Sequence, residues 1–399
     1  MVEMSVASQE GILKFDPQLL PMRRISPSRV VLMRECPLRE VLVANGLPKL
    51  LPSSPSARLG SAIHAFLEEV GRKEDKIIAK DLLELTWDRV LGEMEVLIAG
   101  NWLERHFVPL RRSVPDFEVR RIQAMALAEK MPHRASSAPW TPADGRHQAR
   151  FGPEIPVSSS DGLISARLDS VVSSDGGVII RDYKSGSLYE SPWESNSPVR
   201  LSYEVQLKVY AALYFDAFGV WPFQLELVPL SGVATIVACD PDECRRLVDD
   251  ARLLFMAVNH IIGEATARFS GVQWRLARPA PRVCASCEYR PACGPYRQGG
   301  VPEVEEGGSP RDAWGRIQAM QRLGNGSFAM SVTADHGLVH IRGLSGDARR
   351  HPALSACSPG DPVSFFGMRA AGSDGLFTES PMTTVYREPA ASDQDTVKD

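Results

Sequence analysis

Nowhere in the 399 residues does an apolar run approach the roughly 18 to 20 positions that a bilayer span requires, so a helical membrane protein is excluded. The start of the chain also lacks a signal-peptide core, because Glu3, Glu10 and Lys14 interrupt its few apolar residues. The expected location is cytoplasmic, with no membrane partner. There is no surplus of positive charge either: 45 Lys and Arg face 49 Asp and Glu, a net charge of -4. Any contact with a polyanion must therefore come from local basic stretches, for which Arg105 to Arg112, Arg120 with Arg121, and Arg275 to Arg282 are the candidates. No Gly-x4-Gly-Lys-Ser/Thr sequence is present, so the chain has no nucleotide-driven motor of its own. Internal repeats are absent. Cysteine is sparse and odd in number, seven in all, which argues against a disulfide framework; clustered cysteines in a reducing compartment more often hold metal.

What is present fits a globular protein: 44% hydrophobic and 24% charged residues allow one large domain and a smaller one. Residues 1 to 24 read as an irregular arm. Ser26-Pro27 then opens a helix whose apolar positions run from Val30 to Leu42 and stop at Asn45-Gly46, with Cys36 inside it or at a kink before Pro37. Helical periodicity returns near 60 to 71, 79 to 99 and 116 to 130. From about 150 the period changes to that of strands at 151 to 157, 163 to 172 and 177 to 183, a β-meander. A helix at 200 to 218, strands near 223 to 230 and 232 to 238, and a long helix from Asp240 to Ile262 complete an α/β pattern. The Gly, Pro and Glu-rich segment 298 to 312 reads as a linker. A second domain over 313 to 388 shows strand-like runs at 327 to 333, 337 to 342 and 362 to 368, which suggests a small β-barrel, and 389 to 399 reads as a disordered tail.

The most informative stretch is Asp169, at the end of Ser-Ala-Arg-Leu-Asp, followed after a Gly-Gly turn by Ile-Arg-Asp182-Tyr-Lys184. Two antiparallel strands joined by a short turn place Asp169 and Asp182 side by side at one edge of a sheet. Two such anions repel unless a cation sits between them, and hard oxygen ligands suit magnesium or manganese. Lys184, two positions on, shares the strand face of Asp182 and is placed to hold or deprotonate an attacking water.

Asp169, Asp182 and Lys184 together resemble the catalytic core of the PD-(D/E)XK nucleases, and the RecB-like branch in particular. That resemblance implies a restriction-endonuclease-like α/β core with a helical N-terminal part over residues 25 to 297. It also implies a helical histidine in a Gly-x3-His setting, matched by Gly60 and His64 as a further metal ligand. A Gln-x3-Tyr pair after the lysine is matched by Gln206 and Tyr210, which share one helix face and are expected to hold the DNA backbone or the lysine. Glu154, one strand earlier, falls where related nucleases often carry another acid, and is read as a supporting group.

Cys284, Cys287 and Cys293 form a C-x2-C-x5-C run in a loop. Three ligands leave a tetrahedral site one short. The resemblance extends to the iron-sulfur subset of RecB-like nucleases, such as the AddB-type and CRISPR-associated members, in which one early cysteine joins three late ones; here that is Cys36. Four thiolates hold either a [4Fe-4S] cluster or zinc, and the resemblance favours the cluster. Cys239, Cys244 and Cys357 lack such spacing and read as ordinary. The implied activity is magnesium- or manganese-dependent DNA hydrolysis on single strands or ends, as an exonuclease in DNA repair or phage defence. Two alternatives remain: a subunit active only beside a helicase or other defence or recombination partner, and a non-catalytic DNA-binding protein. The small C-terminal β domain is compatible with an OB-like barrel that binds single strands through a basic groove and exposed aromatics, or with a barrel that binds protein or shields the nuclease.

Overall fold

The structure, a computed structural model, describes residues 11–73, 79–131, 149–191, 194, 197–264, 268–299, 311–334, 337–372 and 375–389. The first ten residues of the arm, most of the expected linker and all but the first residue of the expected tail lie outside the described residues.

The N-terminal half is helical: α1 (Val30–Glu35), α2 (Pro37–Ala44), α3 (Pro55–Arg72), α4 (Lys80–Gly100), α5 (Leu110–Ser113) and α6 (Phe117–Lys130). The helix expected from Ser26 to Asn45 is broken at Cys36, whose extended backbone (φ -150°) ends α1 and opens α2. Pro37 is the cause, since the residue before a proline is pushed out of the helical region. Helix α3 starts where Ser54 accepts a capping hydrogen bond from Ala57 N at 3.2 Å, with Pro55 at the first helical position.

The chain then forms a five-stranded sheet in sequential order: β1 (Gly152–Ser158), β2 (Ser165–Ser174), β3 (Gly177–Lys184), β4 (Gln224–Pro229) and β5 (Thr235–Val237). The first three are an antiparallel meander, β4 runs parallel to β3, and α7 (Leu201–Phe218) makes the crossover. Strand β5 is shorter than the expected 232 to 238, because the turn at Gly232 (φ 82°) leaves Val233 and Ala234 exposed before pairing begins. Both faces of the sheet are covered, which makes the domain α/β. On one side α7, continuously buried from Val205 to Tyr214, lies between the sheet and α8 (Pro241–Glu264). On the other, Leu59, Ile63, Phe66, Leu67 and Val70 of α3 pack with Trp87 of α4 and Phe117 of α6 against Tyr183 and Val228 of the sheet.

Three short helices that the sequence pattern did not reveal, α9 (Phe269–Leu276), α10 (Pro281–Ala285) and α11 (Gly294–Gln298), surround the late cysteines. The C-terminal sheet contains β6 (Arg311–Arg322), β7 (Phe328–Ala334), β8 (Gly337–Leu344), β9 (Pro362–Ala370), β10 (Leu376–Thr378) and β11 (Thr384–Arg387). Strand β10 pairs parallel with β8 and antiparallel with β9, so β6, β7, β8, β10 and β9 close into a ring, with β11 added on β9. Only three of these six strands were legible as strand-like runs. Arg311 and Asp312, placed in the linker by composition, open β6.

This sheet is joined to the preceding domain through buried contacts. Phe366 and Tyr386 enter the main core, and Tyr386 OH donates to Leu50 O at 2.5 Å. Asp312, 8% exposed, accepts from Arg290 Nε at 2.6 Å, Tyr296 OH at 2.8 Å and Gly367 N at 2.7 Å. Arg290 in turn donates to the carbonyls of Ala285 and Cys287. Removing one partner of a buried, hydrogen-bonded ion pair strands the other charge. Asp312→Ala should therefore cost about 3–5 kcal/mol of stability in chemical denaturation; a change within experimental error would show that the two halves are not welded at this point.

Candidate active site

Asp169 sits where the strand ladders on both sides of β2 are interrupted. Pairing with β3 begins one residue later, at Ser170 with Arg181, and pairing with β1 passes from Pro153 and Ser170 to Ile155 and Leu168, skipping Glu154 and Asp169. Glu154 itself is the one described non-glycine residue with positive φ, 52°, a region that costs an ordinary side chain energy. Freed from the ladder, Asp169 turns its carboxylate across to β3 and accepts from Tyr183 N at 2.8 Å.

Asp182, two residues before the end of β3, is 2% exposed. Its Oδ1 accepts from Gln206 Nε2 at 3.1 Å. Its Oδ2 lies 2.6 Å from Lys184 Nζ, an ion-pair contact without hydrogen-bond alignment, so this buried oxygen has no donor of its own. Lys184 Nζ instead donates to Gln206 Oε1 at 3.0 Å and lies 4.4 Å from the centre of the Tyr203 ring. Gln206 Nε2 also donates to Tyr210 OH at 2.6 Å. Gln206 thus grips the acid and the lysine with opposite ends of one amide, and Tyr210, one helical turn on, fixes that amide's rotamer. Burial, then the Asp182 charge, pushes the Tyr210 hydroxyl up, so it stays a neutral donor and acceptor.

His64, Glu68, Glu154 and Asp169 line a cavity of about 120 Å³. His64 is open to solvent on one edge and surrounded by the domain on the others; desolvation lowers its pKa, against the pull of Asp182. A neutral imidazole is the form that binds metal. Asp169 is held well above the usual carboxylate range, first by burial and next by the Asp182 charge. A buried and a half-buried carboxylate in mutual repulsion are the donor set that a hard divalent cation fits.

The sequence pattern passed over two members of this neighbourhood. Tyr203 lies three residues before Gln206 on the same helix, and Glu68 follows His64 by four, spacings that place each pair on one helix face. Gly60 is required by packing: a Cβ there would stand 2.7 Å from Ser185 Oγ, which brings α3 against the residue that follows the lysine. Arg120, one of the basic candidates, donates to Ser185 O at 2.9 Å and Ser56 O at 3.2 Å, so it braces the site. Arg121 and Arg111 pair with neighbouring acids.

With this geometry in place, residues 24–294 match the family model of the PD-(D/E)XK nuclease superfamily. The chain belongs to that superfamily. A search of curated proteins finds no match to it. Membership in the PD-(D/E)XK superfamily implies metal-dependent hydrolysis of phosphodiester bonds, and the matched span ends at the late cysteines. No helix among the described residues is long and apolar enough to cross a membrane.

Cys36, Cys284, Cys287 and Cys293 line one small cavity beneath α2. They are free thiols. Burial raises Cys287 to about 12 and Cys293 to about 11, and Cys36 lies near enough to raise Cys284 further. Thiols so placed stay protonated unless a metal displaces the proton. Among the described residues no three His, Cys, Asp or Glu side chains already stand as a cage for a metal ion. The donor chemistry nevertheless fits a thiolate-bound group: four cysteines, one cavity, and Arg39 beside Cys287 to offset thiolate charge. Protein contacts bring the ligands' segments together: Arg39 pairs with Glu288 at 2.8 Å, Tyr289 OH donates to Leu47 O at 2.8 Å, and Leu50 N to Glu288 O at 3.1 Å. Cys239 and Cys244 lie together elsewhere, at the start of α8.

Proposed function

We propose that this chain is a RecB-like deoxyribonuclease that cuts single-stranded DNA or DNA ends with magnesium or manganese held by Asp169, Asp182 and His64. The observation that carries this reading is the buried Asp182, paired with Lys184 at 2.6 Å, tied to it again through Gln206, and facing Asp169. When bound, such a cation polarises a phosphoryl oxygen and lowers the pKa of a water. The residues do the rest. Asp169 and Asp182 would hold the cation at the point where β2 meets the end of β3. Lys184 holds the attacking water and stabilises charge at phosphorus, while Gln206 and Tyr210 position Lys184 and Asp182. Glu154 supports Asp169 from the neighbouring strand.

The cysteine set is proposed to carry a [4Fe-4S] cluster, with zinc as the alternative, serving as a staple remote from the chemistry. For the C-terminal sheet, the ring closed by the parallel pair of β8 and β10, with a helical turn at Pro352–Ala356 before β9, supports an OB-like reading. Its outer β7–β8 face offers His340, Arg342 and Leu338, but Phe328 and Phe377 are half-buried, so that face is not a stacking platform for bases. Action beside a helicase in repair or phage defence remains part of the proposal.

The reading is tested with 5'- and 3'-labelled single and double strands in magnesium or manganese. Shortened products from single strands or ends, abolished by a chelator, are expected. Intact DNA of every form with both metals would overturn it.

A further inference from the structure

We propose that the cleft between the C-terminal barrel and the start of α3 is the track along which a single nucleic-acid strand reaches the catalytic cavity, an inference that rests on the nuclease reading above. The cleft has a volume of about 880 Å³ and is walled by the first turn of α3 on one side and by β6 and β9 of the barrel on the other, with the cysteine loop between them.

Its charge is complementary to a phosphate backbone. Arg311 and Arg369 line it and carry no ion pair among the described residues. Lys49 also lines it, but shares the single carboxylate of Glu288 with Arg39. Arg290 is cancelled by Asp312 and contributes nothing. The surplus is positive, in a chain whose net charge is negative.

The cleft also leads to the site. Ala57, Ser61, His64 and Glu68 recur at helical spacing and form the solvent-facing stripe of α3 opposite its buried face. Ala57 lies in the cleft and His64 in the catalytic cavity, about 10 Å apart along the axis. The stripe position between them is Ser61, whose small side chain leaves the rail clear. Arg120 joins Ser56 O, which precedes Ala57 of the cleft, to Ser185 O, next to the lysine. A strand lying on this stripe presents its phosphates to Arg369 and Arg311 first and to the acidic pair last.

The test measures binding of a labelled oligothymidylate to the full chain in a chelator, so that cleavage plays no part. The double variant R311E/R369E should weaken binding by at least about tenfold and lower the slope of log affinity against log salt by about 2. Ala57→Glu should weaken it too without loss of stability, because a glutamate at that position completes a capping box with Ser54 while placing an anion in the cleft. R322E/R342E, an equal charge change on the barrel outside the cleft, should have at most half the effect on log affinity. Equal losses in the two double variants, unchanged binding in R311E/R369E or in Ala57→Glu, or tighter binding of a blunt duplex than of the single strand would overturn the track. The nuclease reading fails separately, if the wild-type chain binds the strand in the cleft but cuts nothing when metal is restored.

Discussion

Asp182→Ala and Lys184→Ala should each reduce DNA cleavage by about a thousandfold or more, while the protein stays folded and still binds DNA in a chelator. The size follows from what each group touches. Positioned acid-base and metal-assisted steps are each worth about 10²–10⁴ in rate, and Asp182 bears on both, through its Oδ2 and through the Gln206 link to Lys184. Loss of Asp182 relieves its repulsion with Asp169 but leaves Lys184 without its ion-pair partner, and because these effects oppose each other the shift in thermal unfolding should be small. Gln206→Ala should cost less, about tenfold to a hundredfold, and should shift the pH profile, since it removes the positioning of the lysine rather than the lysine. His64→Ala should weaken metal use, with a smaller loss in manganese than in magnesium, because a nitrogen ligand suits the softer ion. Near-normal turnover of either purified Asp182→Ala or Lys184→Ala would sink the assignment of the site.

Cys36→Ala should abolish the metal content proposed for the cysteine site as completely as Cys287→Ala, and the double variant should be no worse than either single one. Three thiolates leave one position to water, and residues that act as one unit do not add. As purified without air, the wild-type protein should be brown, with broad absorption near about 400 nm; zinc without iron would replace the cluster but keep the staple. Arg39, Tyr289 and Leu50 still bridge the two segments in the variants, so the chain should remain folded while α2 and the loop at 282 to 297 become protease-sensitive together. Cys239→Ala, Cys244→Ala and Cys357→Ala should keep the metal. Full metal content in Cys36→Ala would place the fourth ligand elsewhere.

The strands that carry Asp169, Asp182 and Lys184 were legible in the sequence because a strand has a period of two and a turn residue is chemically marked. Asp182 and Lys184 on one face, the Gly-Gly turn and the antiparallel meander all follow from neighbours in the chain. The helical spacing of Gln206 and Tyr210 is local in the same sense. Cys36 and its kink were marked by Pro37. Interrupted ladders at Asp169 and Glu154 were not legible, because a break in pairing depends on two partner strands at once. The strands β6, β10 and β11 escaped for a related reason: they are short or mostly polar, and only closure of the barrel around Ile317, Val363 and Val385 selects their conformation. By itself the sequence determined the α/β order, the acid-lysine motif and the identity of the thiols. Tertiary structure alone decided that Gln206 grips both Asp182 and Lys184, that Asp312 is a buried weld rather than part of a linker, and that Arg311 and Arg369 stand beside the start of α3. Each of these joins residues distant in the chain, and such contacts are fixed by packing and by the need to satisfy buried charge, neither of which leaves a periodic trace in sequence.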